Sequence, residues 1–122
     1  MLFIPSTASV AAVVRRLREF GAPAEPLTTS VLTDGTTSAH LRILVTTEAA
    51  ARGLDLPDVS HVFILGVPTS SAAYLHMAGR TARMGRPGVA ITLLPDEGNS
   101  IARMHTMAQL IPLHWTPFSH VE

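Results

Sequence analysis

An α/β domain with a mainly parallel sheet and helices on both faces is the architecture that this sequence predicts, and three observations carry it. Short apolar runs of strand length recur along the chain: Leu2-Phe3-Ile4, Ile43-Leu44-Val45, His61-Val62-Phe63-Ile64-Leu65 and Val89-Ala90-Ile91-Thr92-Leu93-Leu94. They lack the polar alternation of half-solvated strands and fit strands covered on both sides. The segments between them carry helical periodicity and capping residues, and strands that alternate with helices close into parallel βαβ units. At 122 residues the chain fits one domain, 1–122, large enough to bury roughly two-thirds of the surface its unfolded form exposes. No internal repeat, heptad pattern or low-complexity tract divides it.

Taken in order, Leu2-Phe3-Ile4 is the first strand, and Ser6, Thr7 and Ser9 are suited to cap a helix behind it. Val10, Val13, Val14, Leu17 and Phe20 recur at helical spacing and form its apolar face, with Gly21 as its stop and Pro23 beyond. Residues 22–40 are rich in Pro, Thr, Ser and Gly, with Leu27, Val31 and Leu32 as the available strand residues. Ile43-Leu44-Val45 and His61 to Leu65 are the next two strands, separated by a loop with a short helical turn. Ser70 and Ser71 can cap a helix through Tyr74-Leu75-His76, and Val89 to Leu94 follows as the fourth clear strand. Asp96 is placed to cap a last helix whose apolar positions are Ile101, Met104, Ala108 and Ile111, with Met104 and Met107 read as packing residues. Leu113-His114-Trp115 is read as a final edge strand, with Trp115 an edge hydrophobe or an anchor for a partner chain.

Composition closes several routes to function. Cysteine is absent, which removes disulfides, thiolate metal sites and thiol nucleophiles. Lysine is absent as well, since all nine basic residues are arginine; neither a Schiff base nor a phosphate-loop lysine is possible. A formal charge of zero excludes a generally basic nucleic-acid coat, so any contact with phosphates must be local. None of the six histidines stands four residues from another, and no metal site is expected from them. No apolar stretch reaches the ~18 residues of a membrane span, and the opening run Met1 to Pro5 is too short for a signal peptide core.

Two segments carry chemistry. In His76-Met77-Ala78-Gly79-Arg80-Thr81-Ala82-Arg83 the spacing predicts one helix face holding His76, Arg80 and Arg83. Paired guanidiniums are permanently charged planar forks, suited to the oxygens of a transferring phosphoryl group; the ordinary alternative is a solvated helix end. In Ile43 to Asp55 a buried strand feeds a loop of hydroxyls, small residues, Arg52-Gly53 and an acid, at the strand end where parallel sheets place ligands. Thr47 can hydrogen-bond a phosphate oxygen or cap a turn. Gly53 can offer an open backbone N–H or serve a positive φ, and Asp55 can meet a ribose hydroxyl or cap the Pro57-Asp58 turn.

Together these segments resemble the DEAD-box RNA helicase family, in its C-terminal RecA-like domain. Thr47-Glu48-Ala49-Ala50-Ala51-Arg52-Gly53-Leu54-Asp55 is similar to motif V, and Tyr74-Leu75-His76 through Arg83 and Gly85 to motif VI. Leu56-Pro57-Asp58-Val59, Val67-Pro68-Thr69-Ser70 and Gly88-Val89-Ala90 follow the family pattern too, so the likeness covers residues 43 to 94; the first twenty residues match the motif IV strand and helix more loosely. The resemblance implies a RecA-like, P-loop NTPase-type fold. It implies that Arg80 and Arg83 contact the γ-phosphate of ATP, with Arg83 the stronger arginine-finger candidate, and that Asp55 meets the ATP ribose. His76, the residue that favours the DEAD-box group over related helicases, couples the two domains. Thr47 and Gly53, with Arg52, face the RNA sugar-phosphate backbone.

The chain departs from that pattern at three places. Met77 stands where the family has an arginine that links motif VI to the partner domain, and Ala82 stands where glycine is usual. Residues 22 to 42 are short for the helix with a glutamine-arginine RNA-binding motif that precedes motif V. The chain holds no Gly-rich phosphate loop and no acidic Mg²⁺ motif, so the isolated domain is expected not to hydrolyse ATP. ATP with Mg²⁺ requires an N-terminal RecA-like partner domain, whose phosphate loop and metal motif are expected upstream of Met1. The alternative is a degenerate helicase domain serving as a binding scaffold in a larger RNA-protein complex. An intracellular setting, organellar included, goes with either reading, and no membrane partner is expected.

Overall fold

A computed structural model of the chain describes residues 1–29, 31, 42–82, 85–96 and 98–116. Its elements in chain order are β1 (Leu2–Ile4), α1 (Val10–Glu19), β2 (Ala24–Pro26), β3 (Ile43–Thr47), α2 (Glu48–Ala51), β4 (His61–Leu65), α3 (Ser71–Ala78), β5 (Val89–Leu93) and α4 (Ser100–Ala108). The strands form one sheet in the order β2-β3-β1-β4-β5, and every pairing is parallel. The α/β expectation therefore holds.

Register decides what each face buries. Leu2 lies opposite Val45 on one side and Phe63 on the other, and in parallel strands such partners point the same way. Leu2, Ile4, Ala24 and Val45 consequently share one face, where Val14 of α1 is buried and Val10, Val13 and Leu17 pack beside it. Phe3, Leu44, Val62 and Ile64 take the other face, against Ala51 of α2, Ala73, Tyr74 and Met77 of α3, and Met104 of α4. Phe3, Val45 and Val62 are the largest side chains that are fully buried, each contributing about 1.5–3 kcal/mol by leaving water. Helices thus cover both faces.

Caps set the helix starts. Ser9 Oγ accepts from the Ala12 N–H at 3.2 Å and Ser70 Oγ from the Ala73 N–H at 3.0 Å, satisfying one orphan donor in each first turn. Gly21, at φ +84°, ends α1 as predicted.

Five expectations are corrected. The second strand is Ala24–Pro26 rather than a run through Leu27 and Val31; Pro26 is tolerated there because β2 is an edge strand. Leu32 lies outside the described residues. Phe20 is 74 % exposed, with the Arg16 guanidinium 5.0 Å from its ring centroid, because it follows the last turn of α1 rather than joining its buried stripe. Asp96 does not cap α4; Asn99 holds that position without a side-chain hydrogen bond. Ile101 points outward at 46 % exposure, while Met104 faces the core. Leu113 to Trp115 forms no strand: Trp115 packs on Tyr74 with ring centroids 5.0 Å apart, since a core contact offers the indole more burial than an edge ladder.

Candidate functional site

Chain direction opens a crevice at the carboxyl ends of the strands. From the central β1 the chain passes to α1 on one face, and from the adjacent β3 to α2 on the other. Neighbouring strands that exit to opposite faces leave a gap between their ends. A cleft of about 290 Å³ lies here, lined by Ser6 and Thr7 beyond β1, Glu48, Ala49 and Arg52 beyond β3, and Val67 and Thr69 beyond β4.

Thr47 ends β3 and caps α2, its Oγ1 accepting from the Ala50 N–H at 3.1 Å. The capping reading is realised, and the hydroxyl keeps its own proton to donate. Gly53 has φ +79°, and nothing lies within 4 Å of where a Cβ would stand. One glycine therefore supplies the turn and leaves its surroundings open. Asp55 is exposed and takes no hydrogen-bond or ion-pair partner among the described residues, so it does not cap the turn that follows.

Glu48 joins the two motifs. Its Oε1 accepts from Arg52 Nε at 2.9 Å, with the arginine side chain 66 % exposed and the carboxylate side chain 18 %. The same oxygen stands 3.7 Å from His76 Nδ1, within reach of an ion pair but longer than a hydrogen bond. Sequence reasoning passed over Glu48 as a site residue. The signal that could have found it is the i, i+4 spacing of Glu48 and Arg52, acid first.

The helix expected to carry His76 and Arg80 on one face ends before it reaches Arg80. Helix α3 ends at Ala78, with Gly79 as its C-cap, and the chain tightens through Arg80 N–H to Met77 O at 3.3 Å and Thr81 N–H to Ala78 O at 3.2 Å. Three-residue turns break the α-helical spacing. Arg80 lies beyond the helix, and Arg83 lies outside the described residues. The loop is tied to the start of β4 instead: the Val59 N–H donates to Arg80 O at 2.9 Å, and Thr81 Oγ1 donates to Ser60 O at 2.9 Å. These bonds attach Arg80 to the connection that carries Asp55.

Both departures in motif VI have a structural setting. Met77 is 4 % exposed and belongs to the core against β1 and β4, so its side chain is spent on packing. Ala82 has φ +55°, the left-handed backbone that an L side chain resists. Burial raises the Tyr74 phenol above its ordinary pKa by desolvating the charged form. The short segment expected to lack the glutamine-arginine helix falls largely outside the described residues.

Residues 27–85 match the helicase conserved C-terminal domain model. Over 58 residues, 48 % of this chain, the sequence is 55 % identical to the ATP-dependent RNA helicase SrmB of Escherichia coli (strain K12). Residues 27–85 of the chain carry the helicase C-terminal domain of the DEAD-box family. Its RecA-like fold superposes on the C-terminal domain of the DEAD-box protein Dbp5 with a TM-score of 0.73 and 27 % identity, covering 91 % of this chain and 68 % of that one. S. cerevisiae Dbp5 bound to RNA and ADP BeF3 gives a TM-score of 0.72 at 27 % identity, covering 91 % of this helicase domain and 32 % of that chain. The match to SrmB spans 13 % of that protein's length. Among the described residues no helix of this domain is long and apolar enough to cross a membrane.

Proposed function

We propose that this domain is the C-terminal half of an ATP-dependent RNA helicase, and that it completes an ATP and RNA site only against an N-terminal RecA-like domain. The observation that carries the reading is the attachment of motif VI to the motif V connection, through the two 2.9 Å bonds from Val59 to Arg80 and from Thr81 to Ser60. Those bonds fix Arg80 relative to the loop of Asp55. The exposed, unpartnered carboxylate of Asp55 and the open turn at Gly53 fit a nucleotide ribose approaching from outside.

Roles follow from chemistry. Arg80 and Arg83 supply charged donors to the phosphates, where charge accumulates during transfer. Asp55 accepts from the ribose hydroxyls. Thr47 donates its remaining hydroxyl proton to the RNA backbone beside Gly53, with Arg52 adding charge at the cleft; contacts of this kind read no base sequence. His76 faces the partner domain. Mg²⁺ would neutralise phosphate charge when bound with the nucleotide, and its ligands are assigned to the acidic motif expected of the partner domain.

The test is complementation. The isolated chain should show no ATP turnover, and joining it behind a DEAD-box N-terminal RecA-like domain such as that of E. coli SrmB should give RNA-stimulated turnover. Turnover by the isolated chain, or none in the joined protein with RNA present, refutes the proposal.

A further inference from the structure

His76 Nδ1 is buried and makes no hydrogen bond, and the acceptor recorded beside it is Glu48 Oε1 at 3.7 Å. Nε2 makes no hydrogen bond among the described residues either, although His76 retains 33 % side-chain exposure. In a neutral imidazole one nitrogen donates and the other accepts, and the proton goes where an acceptor waits. Glu48 offers that acceptor. Its oxygen has two lone pairs, one taken by Arg52 Nε at 2.9 Å and the other open to the ring. Packing limits where the carboxylate can go: its side chain is 18 % exposed and lies on a turn held by the Thr47 cap.

We infer that Glu48 is a positioning residue, whose Oε1 holds His76 in the Nδ1–H tautomer and leaves Nε2 as a bare acceptor, while binding Arg52 through the same atom. Motif V thereby determines the chemical face that motif VI presents. An N–H or O–H donor is what Nε2 then recognises, and a carbonyl or carboxylate is what it rejects. The tautomer assignment stands on geometry alone. Its consequence, that removing the Glu48 carboxylate weakens the coupling of the two domains through His76, rests on the helicase reading above.

The tautomer is read directly by long-range ¹H–¹⁵N correlation spectra of the 122-residue chain at about pH 8.5, some two units above the ordinary histidine value. The wild-type ring should favour Nδ1–H by roughly tenfold, the scale of a charge-assisted hydrogen bond. Glu48→Ala should return the ring to the Nε2–H form that free imidazole side chains prefer, and Arg52→Ala should keep Nδ1–H. A wild-type ring that is mainly Nε2–H overturns the assignment without any variant having to fold. So does an Arg52→Ala spectrum that shifts as Glu48→Ala does, since helix placement and not the carboxylate would then orient the ring. In the joined protein, Glu48→Ala should lower RNA stimulation of ATP turnover about tenfold, the same charge-assisted scale. Loss of the tautomer with stimulation unchanged overturns the coupling role given to His76 and leaves the tautomer assignment standing.

Discussion

Replacing Ala82 by glycine should stabilise the domain, against the usual direction of a change to glycine. Ala82 is the non-glycine residue with positive φ among the described residues, at +55°. Left-handed backbone costs an L-residue roughly 1–2 kcal/mol, and glycine removes that cost. Against this, glycine gives the unfolded chain additional freedom worth about 0.4–1 kcal/mol. The balance is a gain of about 0.5–1 kcal/mol. With an unfolding entropy of about 2.1 cal/mol/K per residue, the 122-residue chain should show a rise in Tm of about 2–4 °C. Thermal unfolding followed by circular dichroism, with scanning calorimetry to confirm a two-state transition, measures it. A Tm that falls on Ala82→Gly refutes the strain argument and means that Ala82 makes a contact worth more than its backbone costs.

The neighbouring glycine should behave in the opposite way. A Cβ at Gly88 would collide with Thr81 Oγ1 and with the Ala82 backbone, so Gly88→Ala should cost about 3 kcal/mol or more; denaturant unfolding with no loss of midpoint would show that the loop can move aside. Met77, 4 % exposed in the core, should cost about 2–5 kcal/mol when cut to alanine; a cost under about 1 kcal/mol would mean that the cavity collapses freely.

Much of this domain could be read before it was seen, for reasons specific to particular segments. Val45 and Val62 lie in runs with few polar residues because both sheet faces are covered, and that pattern is visible without coordinates. Ser9, Ser70 and Gly21 act locally, so their capping and terminating roles did not depend on the rest of the chain. What escaped was tertiary. Trp115 left the edge-strand pattern because Tyr74, forty-one positions away in sequence, offers it a ring to pack on. Arg80 left the predicted helix face because the helix end tightens at Gly79, where an i, i+4 projection no longer applies. Glu48 was legible as a partner of Arg52 by spacing, but its approach to His76 depends on how α2 and α3 pack, which no local pattern encodes.

In the proposed division of labour, motif VI brings arginines to a phosphate site while motif V grips RNA. Its most direct test is Arg83→Ala in the joined protein, with ATP turnover and single-stranded RNA affinity measured on the same preparation. Turnover should fall by about 10³ or more, as for arginine fingers generally, while RNA affinity changes by less than about threefold, because contacts to the sugar-phosphate backbone lie elsewhere. Equal losses in turnover and RNA affinity would contradict that division of labour.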